Sequence, residues 1–272
     1  MSNGLAKDRS PPAVVDRRAE PRVAITVPLT LQLDDGRSIP GGSLDLGRGG
    51  VCAGTARGFP CESIAQVRIG LRGSTISAPA RGAWQRSTPS EALVTTGIQF
   101  VELTKHDEAR LGDALDDRVR TLTRFLIGSQ ALAPLDPPDA RALTLRSRCR
   151  HFPADVRLYE RNATGGETSI FIVATGEVAL ELPGPRGATR RAAMLGSGDV
   201  FGGVSLLTEL SHAESAGTAT ACELIEVDAS ALELLRYESP RMARALERGV
   251  VRRLAAALDL ALEREPYGPT RR

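Results

Sequence analysis

The sequence predicts a mainly β protein with helices, organised as two domains. A chain of 272 residues is about twice the usual length of a single domain. Apolar and polar residues alternate between Val23 and Leu33, which indicates a strand with one buried face. Two longer segments, 104–126 and 239–264, repeat apolar residues at helical spacing instead. We therefore expect strands to form the body of each domain and helices to follow them.

The first strand is followed by a turn at 34–36 and then by further short segments with strand character. Each segment is bounded by Gly, Pro or Ser, and together they lie near 48–54, 64–71, 75–86 and 92–103. Several short strands at this spacing are typical of a small antiparallel barrel. Pro28 falls on the outward face of the first strand, which indicates an edge or a bulge. Trp84, the one tryptophan of the chain, is expected in the core of this barrel.

A helix is predicted from about Thr104 to Leu126. Its apolar stripe consists of Leu111, Leu115, Val119, Leu122 and Leu126. The helix either closes an open end of the barrel or couples the two domains, because it leads directly into the next segment. The acidic residues along 107–117 fit the solvated face of the same helix.

Arginines, an acid and glycines combine near the N-terminus. Arg17, Arg18 and Arg22 lie just before the first strand, and the motif D-L-G-R-G-G follows at 45–50. Guanidinium groups donate paired hydrogen bonds to phosphate oxygens and to O6 and N7 of guanine. A carboxylate can accept from the N1–H and amino group of guanine, and glycines let a ligand approach the backbone. The combination predicts a site for a guanine-containing phosphodiester.

These motifs resemble the signature of PilZ domains, small β-barrels that bind the bacterial second messenger cyclic di-GMP. The signature reads R-x-x-x-R and then [D/N]-x-S-x-x-G. Arg18 and Arg22 match the first half, with Arg17 as the common extra arginine, and Asp45 and Gly50 match the second half. Gly47 occupies the serine position, so one hydroxyl contact worth about 1 kcal/mol would be missing. The resemblance implies a cyclic di-GMP site formed by these residues. It also implies that the arginine segment is mobile when empty and is drawn onto the barrel by the ligand.

A competing interpretation needs no ligand. The chain has 33 arginines and only two lysines among its 35 basic residues, so an arginine cluster can arise from composition alone. The motif at 45–50 can likewise form a plain hairpin turn. The segments A-R-G-A-W at 80–84 and T-G-I-Q-F-V at 96–101 also resemble later strands of PilZ domains, which favours the ligand interpretation.

Composition and pattern divide the chain into five parts. We predict a disordered tail at 1–14, a PilZ-like barrel with its helix at 15–127, a Pro-rich linker at 128–139, a second domain at 140–264 and a tail at 265–272. The second domain contains F-P-A-D-V-R-L-Y-E at 152–160, I-F-I-V-A-T-G-E-V at 170–178 and G-S-G-D-V-F-G-G-V-S-L-L at 196–207. These stretches resemble the cyclic-nucleotide-binding fold of bacterial catabolite activator proteins and kinase regulatory subunits. The resemblance implies a β-roll, or jelly roll, with C-terminal helices.

The second domain departs from that family at its phosphate cassette, F-G-E-x-x-L-L followed by P-R-x-A-T. The family's glutamate holds the ribose hydroxyl and its arginine neutralises the cyclic phosphate. In this chain the cassette residues are Phe201, Gly202, Gly203, Ser205 and His212. Gly203 replaces the glutamate, His212 replaces the arginine, and Glu214 adds a negative charge nearby. The departures imply a degenerate pocket that rejects cyclic AMP, with His212 as a solvated surface residue.

Two helices are expected at the end of the chain, near 229–236 and 239–264. Apolar residues recur in the second at steps of four, namely Met242, Leu246, Val250, Leu254, Leu258 and Leu262. In this fold such a helix commonly forms a dimer seam, which implies a homodimer. The alternative is that the helix packs on its own barrel. Six residues follow Pro266, too few for a helix-turn-helix, so no DNA-binding motif is expected.

The remaining features favour a binding protein over an enzyme. The histidines His106, His151 and His212 are far apart, and no P-loop or G-x-S-x-G motif occurs. Cys52, Cys61, Cys149 and Cys222 form no C-x-x-C, which argues against zinc or a disulfide framework. With a formal charge of +2 and no apolar leader or span, a cytoplasmic protein without membrane contact is expected.

Three functions are compatible with these observations. The first, which we favour, is a cyclic di-GMP effector without a cofactor, whose second domain contacts a protein partner. The second is a dual sensor that also binds a cyclic mononucleotide. The third is an adaptor that binds no ligand.

Overall fold

The computed structural model describes residues 22–87, 94–163, 169–183, 189–208 and 210–262, with side chains as far as 257. Arg17 and Arg18 lie outside the described residues, as do both predicted tails. Within the described ranges, no helix combines the length and apolar character needed to span a bilayer.

The first domain is a closed antiparallel barrel. Its six strands are β1 (Pro28–Leu33), β2 (Ser38–Gly47), β3 (Gly50–Thr55), β4 (Ile64–Leu71), β5 (Ser74–Arg86) and β6 (Val94–Phe100). They close in the order β1-β2-β3-β6-β5-β4. The strand pattern buries every second side chain: Leu29, Leu31 and Leu33 of β1 face the core, and the residues between them face outward or lie half-buried. The predicted barrel is therefore confirmed.

Two strand boundaries differ from the prediction. The alternation at 23–33 forms a strand only from Pro28, which begins β1 on its exposed face, and Val23 makes a single bridge to Leu46. The sequence pattern missed β2, because Pro40, Gly41 and Gly42 interrupt its alternation. The motif at 45–50 spans the end of β2, a two-residue turn and the start of β3.

Helix α1 (Lys105–Gly128) belongs to both domains. It begins at Thr104, whose side chain accepts a hydrogen bond from the Asp107 N–H. The first half of its apolar stripe, Leu111 to Val119, packs in the barrel core. The second half, Leu122 and Leu126, is buried in the core of the second domain. The helix thus closes the barrel and couples the domains as well.

The stretch between α1 and α2 (Pro137–Arg146) corresponds to most of the predicted linker. Leu132 within it is completely buried in the core of the second domain. Ser129 is also buried, and its hydroxyl donates to the carbonyl oxygen of Gly198 at 2.8 Å. This stretch therefore holds the C-terminal end of α1 against the second domain.

The second domain is a β-roll of two four-stranded sheets. The strands are β7 (Arg148–Phe152), β8 (Arg157–Tyr159), β9 (Ile170–Thr175), β10 (Val178–Pro183), β11 (Thr189–Leu195), β12 (Val200–Gly202), β13 (Ser215–Thr218) and β14 (Cys222–Val227). One sheet has the order β11-β10-β13-β8 and the other β12-β9-β14-β7. Phe171 and Phe201 are fully buried between them, with ring centroids 5.3 Å apart.

Three helices complete this domain: α3 (Val204–Thr208), α4 (Ala229–Glu238) and α5 (Pro240–Leu262). The first half of α5 packs on its own β-roll, because Met242, Leu246 and Val250 lie buried in the same core as Ile170. Val251, on the opposite face, is 60% exposed. The mainly β architecture with C-terminal helices is as the sequence predicted.

Candidate functional site

The chain enters the first barrel along β2. The Val23 N–H donates to the Leu46 carbonyl at 2.8 Å, and the Leu46 N–H donates back at 2.9 Å. Further along, the buried Ser43 hydroxyl accepts from the Val27 N–H at 2.9 Å and donates to the Ile25 carbonyl at 2.5 Å. These bonds hold residues 23–27 in one place, and they put Arg22 beside the end of β2.

Arg22 and Asp45 form an ion pair at this position. The Arg22 Nη1 lies 2.9 Å from Asp45 Oδ1, and the two side chains are 23% and 16% exposed. The structure therefore brings together an arginine and an acid that are 23 residues apart in the sequence. A guanidinium has five donors, and among the described residues Arg22 pairs with Asp45, so other donors can serve a ligand.

A cavity of about 870 Å³ opens beside this ion pair. Its walls come from the motif turn, from β5 and β6 and from the start of α1, and they include Arg22, Gly47, Arg48, Gly49, Gly50, Trp84, Gly97, Gln99 and Glu108. Gly50 must be glycine here, because a Cβ would lie 2.2 Å from the Ile98 carbonyl oxygen and 3.2 Å from Arg22 Nη2. The volume lies within the usual range for small-molecule sites.

Trp84 lines this cavity, and the prediction that it lies in the core was wrong. The side chain is 42% exposed. Its indole crosses β6 at Gly97, where a Cβ would lie 2.3 Å from Trp84 Nε1. The Arg86 guanidinium lies 5.3 Å from the ring centroid, a cation–π contact. The physical reason is that β5 bulges between Gly82 and Trp84 as it pairs with β6, which breaks the alternation used to predict burial.

The prediction from the motifs also missed Arg48 and Gln99. Arg48 lies at a variable position of the motif, and Gln99 lies on a strand one residue before Phe100. No sequence pattern separates them from other exposed residues. They become candidates only because the barrel brings β3, β6 and α1 to one cavity.

The corresponding region of the second domain is filled by protein. Phe201 is fully buried, and Gly202 and Gly203 follow it with positive φ of 72° and 74°. A Cβ at Gly203 would lie 2.5 Å from Ile170 Cγ1 and 3.2 Å from Val250 Cγ2. The position where the family has a glutamate therefore has no space for one.

His212 is buried, so the prediction of a solvated histidine was wrong. Only 3% of it is exposed, and its ring stacks on Tyr159 with centroids 4.1 Å apart. Burial, and next the nearby Glu214 carboxylate, raise the pKa of Tyr159 far above its usual value. The ring of Tyr159, on β8, thus provides the buried surface against which His212 packs.

Glu214 and Arg253 of α5 lie near this stack. Burial raises the pKa of Glu214, and the positive charge of Arg253 opposes that shift. Among the described residues, buried atoms without a hydrogen-bond partner include Glu214 Oε2, Arg253 Nε and Nη2, and the Ser205 hydroxyl. Glu214 thus adds a buried acid two residues after His212, the residue at the family's arginine position.

The two domains meet at Arg118 of α1. Its Nε donates to the Ala24 carbonyl at 3.0 Å, and its Nη2 pairs with Glu223 of β14. Thr26 Oγ1 lies 3.0 Å from Nδ1 of His151 on β7. A cleft of about 680 Å³ is bordered by these residues. The segment that follows Arg22 is therefore in direct contact with the second domain.

Two family models match the chain. The PilZ domain model matches residues 16–117, and the cyclic nucleotide-binding domain model matches residues 149–237. Both are regulatory or binding domains, which supports a regulator that binds a cyclic nucleotide or cyclic di-GMP. No curated protein matches the chain.

Several solved structures are similar to about half of the chain. The Catabolite Activator Protein of Thermus thermophilus is 29% identical over 49% of this chain, with a TM-score of 0.43. The match spans 61% of that protein's length. A cyclic nucleotide-binding domain from Methylobacillus flagellatus is 17% identical, covers 55% of this chain and 83% of its own, and has a TM-score of 0.46. The c-di-GMP-responsive global regulator CLP of Xanthomonas campestris is 19% identical, covers 49% and 66%, and has a TM-score of 0.41.

Proposed function

We propose that this chain, in which a PilZ domain is followed by a cyclic nucleotide-binding domain, is a cyclic di-GMP effector. The ligand binds to the PilZ barrel, and the second domain transmits the bound state to a protein partner. The observation that carries the proposal is the Arg22–Asp45 ion pair at the edge of a cavity that Trp84 also lines.

The residues of the cavity fit the chemistry of this ligand. Arg22 is held by Asp45 with free donors for a phosphate oxygen or the O6/N7 edge of guanine. The exposed indole of Trp84 offers a surface on which a guanine can stack. Arg18, outside the described residues, is assigned to the same site by the sequence motif.

The route to the second domain begins at the same residues. Arg22 is followed directly by Val23 and Ala24, and Ala24 accepts the hydrogen bond of Arg118. Arg118 in turn is paired with Glu223 of the second domain. A ligand that draws the arginine segment onto the barrel therefore acts on a stretch already bonded to the domain junction.

The second domain serves in this proposal as a relay that does not bind mononucleotides. The cyclic phosphate would meet the buried Glu214 without the family's arginine, and Gly203 leaves no room for the ribose-binding glutamate. The partner is a protein. One such partner is a second copy of this chain that packs along the exposed face of α5. Sedimentation of the chain with and without cyclic di-GMP tests for this homodimer.

Isothermal titration of the full chain with cyclic di-GMP tests the proposal. We expect micromolar or tighter binding, and we expect Arg22→Ala to weaken it by about 2–4 kcal/mol because Asp45 is then left unpaired as well. Arg18→Ala is expected to have an effect of the same size. Arg68→Ala, an exposed arginine on β4, is the matched control and should bind as the wild type does. Cyclic AMP should not bind. If the wild type does not bind cyclic di-GMP, the adaptor function replaces this one.

A further inference from the structure

Arg48 occupies an unusual position in the turn between β2 and β3. Its side chain is exposed, it lines the same cavity as Arg22, and it has no hydrogen bond or ion pair with the described residues. Glu108 also borders the cavity but forms no ion pair with Arg48. Arg48 is thus a cation at the edge of an open site, without a partner among the described residues.

The guanidinium of Arg48 lies against α1 at Gly112. A Cβ at Gly112 would be 3.0 Å from Arg48 Nη2, 3.3 Å from Nη1 and 3.4 Å from Cζ. Gly112 is buried within the helix and lies next to Leu111 of the barrel core. A glycine inside a helix is less favourable than alanine, so its presence needs a reason. The reason on this helix is the space that the Arg48 side chain occupies.

We infer that Arg48 is an additional ligand-binding arginine of the barrel. Gly112 positions its guanidinium by leaving space for it against α1. The group that Arg48 would bind is a phosphate oxygen of the cyclic dinucleotide, because its donors border the cavity and have no partner in the part of the chain that the structure describes. The inference rests on the proposed binding of cyclic di-GMP and deepens it. Since Gly112 lies on α1, this helix forms one wall of the ligand site.

This placement gives the ligand a second contact with the domain junction. The N-terminal half of α1 holds Gly112, and the C-terminal half places Leu122 and Leu126 in the core of the second domain. A ligand that accepts hydrogen bonds from Arg48 is therefore linked, through Arg48 and Gly112, to the helix that both cores share. The first contact, through Ala24 and Arg118, is separate from it.

A double-mutant cycle on the full chain tests the inference by titration with cyclic di-GMP. Arg48→Ala is expected to weaken binding about tenfold, as for one charged hydrogen bond at a partly exposed site. Gly112→Ala should weaken binding by moving the guanidinium, and it should have no further effect in the Arg48→Ala background. Arg48→Lys should restore part of the loss. Gly128→Ala is the control on the same helix, because its Cβ would meet no atom within 4 Å.

Thermal unfolding provides a second measurement on the same variants. In the Arg48→Ala background Gly112→Ala should raise the melting temperature, since the helix gains alanine without a clash. In the wild-type background the same change should raise it less, since the Arg48 guanidinium must shift to make room for the methyl group. If the wild type does not bind, the proposed function falls and this inference with it. If Arg48→Ala binds as the wild type does while Arg22→Ala does not, the function stands and the inference about Arg48 is overturned.

Discussion

Glycine has opposite roles beside the two candidate pockets of this protein. In the first barrel, Gly50 and Gly97 leave space that Arg22 and Trp84 use as they border an open cavity. The glycines therefore bring polar and aromatic groups to a surface that a ligand can reach. Within the described part of the chain, Arg22 donates to Asp45 and borders the cavity with its other donors.

In the second domain the space beside glycine is taken by the protein itself. Gly203 is packed under Ile170 and Val250, the latter on α5. His212 fills the adjacent space by stacking on Tyr159. The comparison shows that a short glycine motif does not by itself distinguish an open site from a closed one. What distinguishes them is which neighbouring element packs against the glycine.

Restoring the family residues in the second domain is the severest test of this comparison. Gly203→Glu with His212→Arg should destabilise the domain by about 2–5 kcal/mol, because the side chain is overpacked and the backbone has positive φ. Chemical denaturation measures the loss. Gly196→Glu is the matched control, since its Cβ would meet no atom within 4 Å. A folded double variant that binds cyclic AMP would show that the pocket is open after all.

Truncating the exposed tryptophan sharpens the description of the first site. Trp84→Ala should weaken cyclic di-GMP binding by about 1–3 kcal/mol through lost stacking on a base. Its stability should change by less than the roughly 3–5 kcal/mol typical of a core tryptophan, because the side chain is 42% exposed. Titration and denaturation of the same sample separate the two effects, with Trp84→Phe as the control that keeps an aromatic face. If Trp84→Ala lost as much stability as a core tryptophan does and kept its affinity, the side chain would belong to the barrel core and not to the ligand site.

The buried acid of the second domain gives the smallest expected effect, and it depends on pH. Because burial raises the pKa of Glu214, the folded chain keeps a proton there at pH values where the unfolded chain has released it. Stability is then lost as pH rises from the ordinary value of 4.5 through the raised pKa.

Glu214→Gln removes this titration. At neutral pH the variant should be more stable than the wild type by about 1 kcal/mol, and the difference should vanish below the ordinary pKa. Denaturation curves across the acidic and neutral range measure it. A variant that is less stable at neutral pH would mean that attraction between Glu214 and Arg253 outweighs the cost of burial.

The sequence predicted the parts of the molecule that depend on local patterns. The period of two in β1 and the helical stripe of α1 were sufficient for the barrel and the helix. The R-x-x-x-R and D-x-x-x-x-G motifs assigned Arg22 and Asp45 to one predicted site, and the structure places the two side chains in contact. The predictions failed where the burial of a side chain depends on residues that are far away in the sequence. Trp84 was placed in the core although a bulge in β5 turns it outward, and His212 was placed on the surface although Tyr159 lies over it.

The sequence by itself therefore determined the two folds, their order and the chemistry available near the N-terminus, because these follow from periodicity, from residue type and from the resemblance of both domains to known families. Only the tertiary structure decided which chemistry is accessible. Three features each join residues from separate elements. They are the position of α1 across both cores, the contact of Arg48 with Gly112, and the closure of the second pocket by Val250. Such contacts depend on the packing of whole helices and strands, which no local pattern of residues encodes.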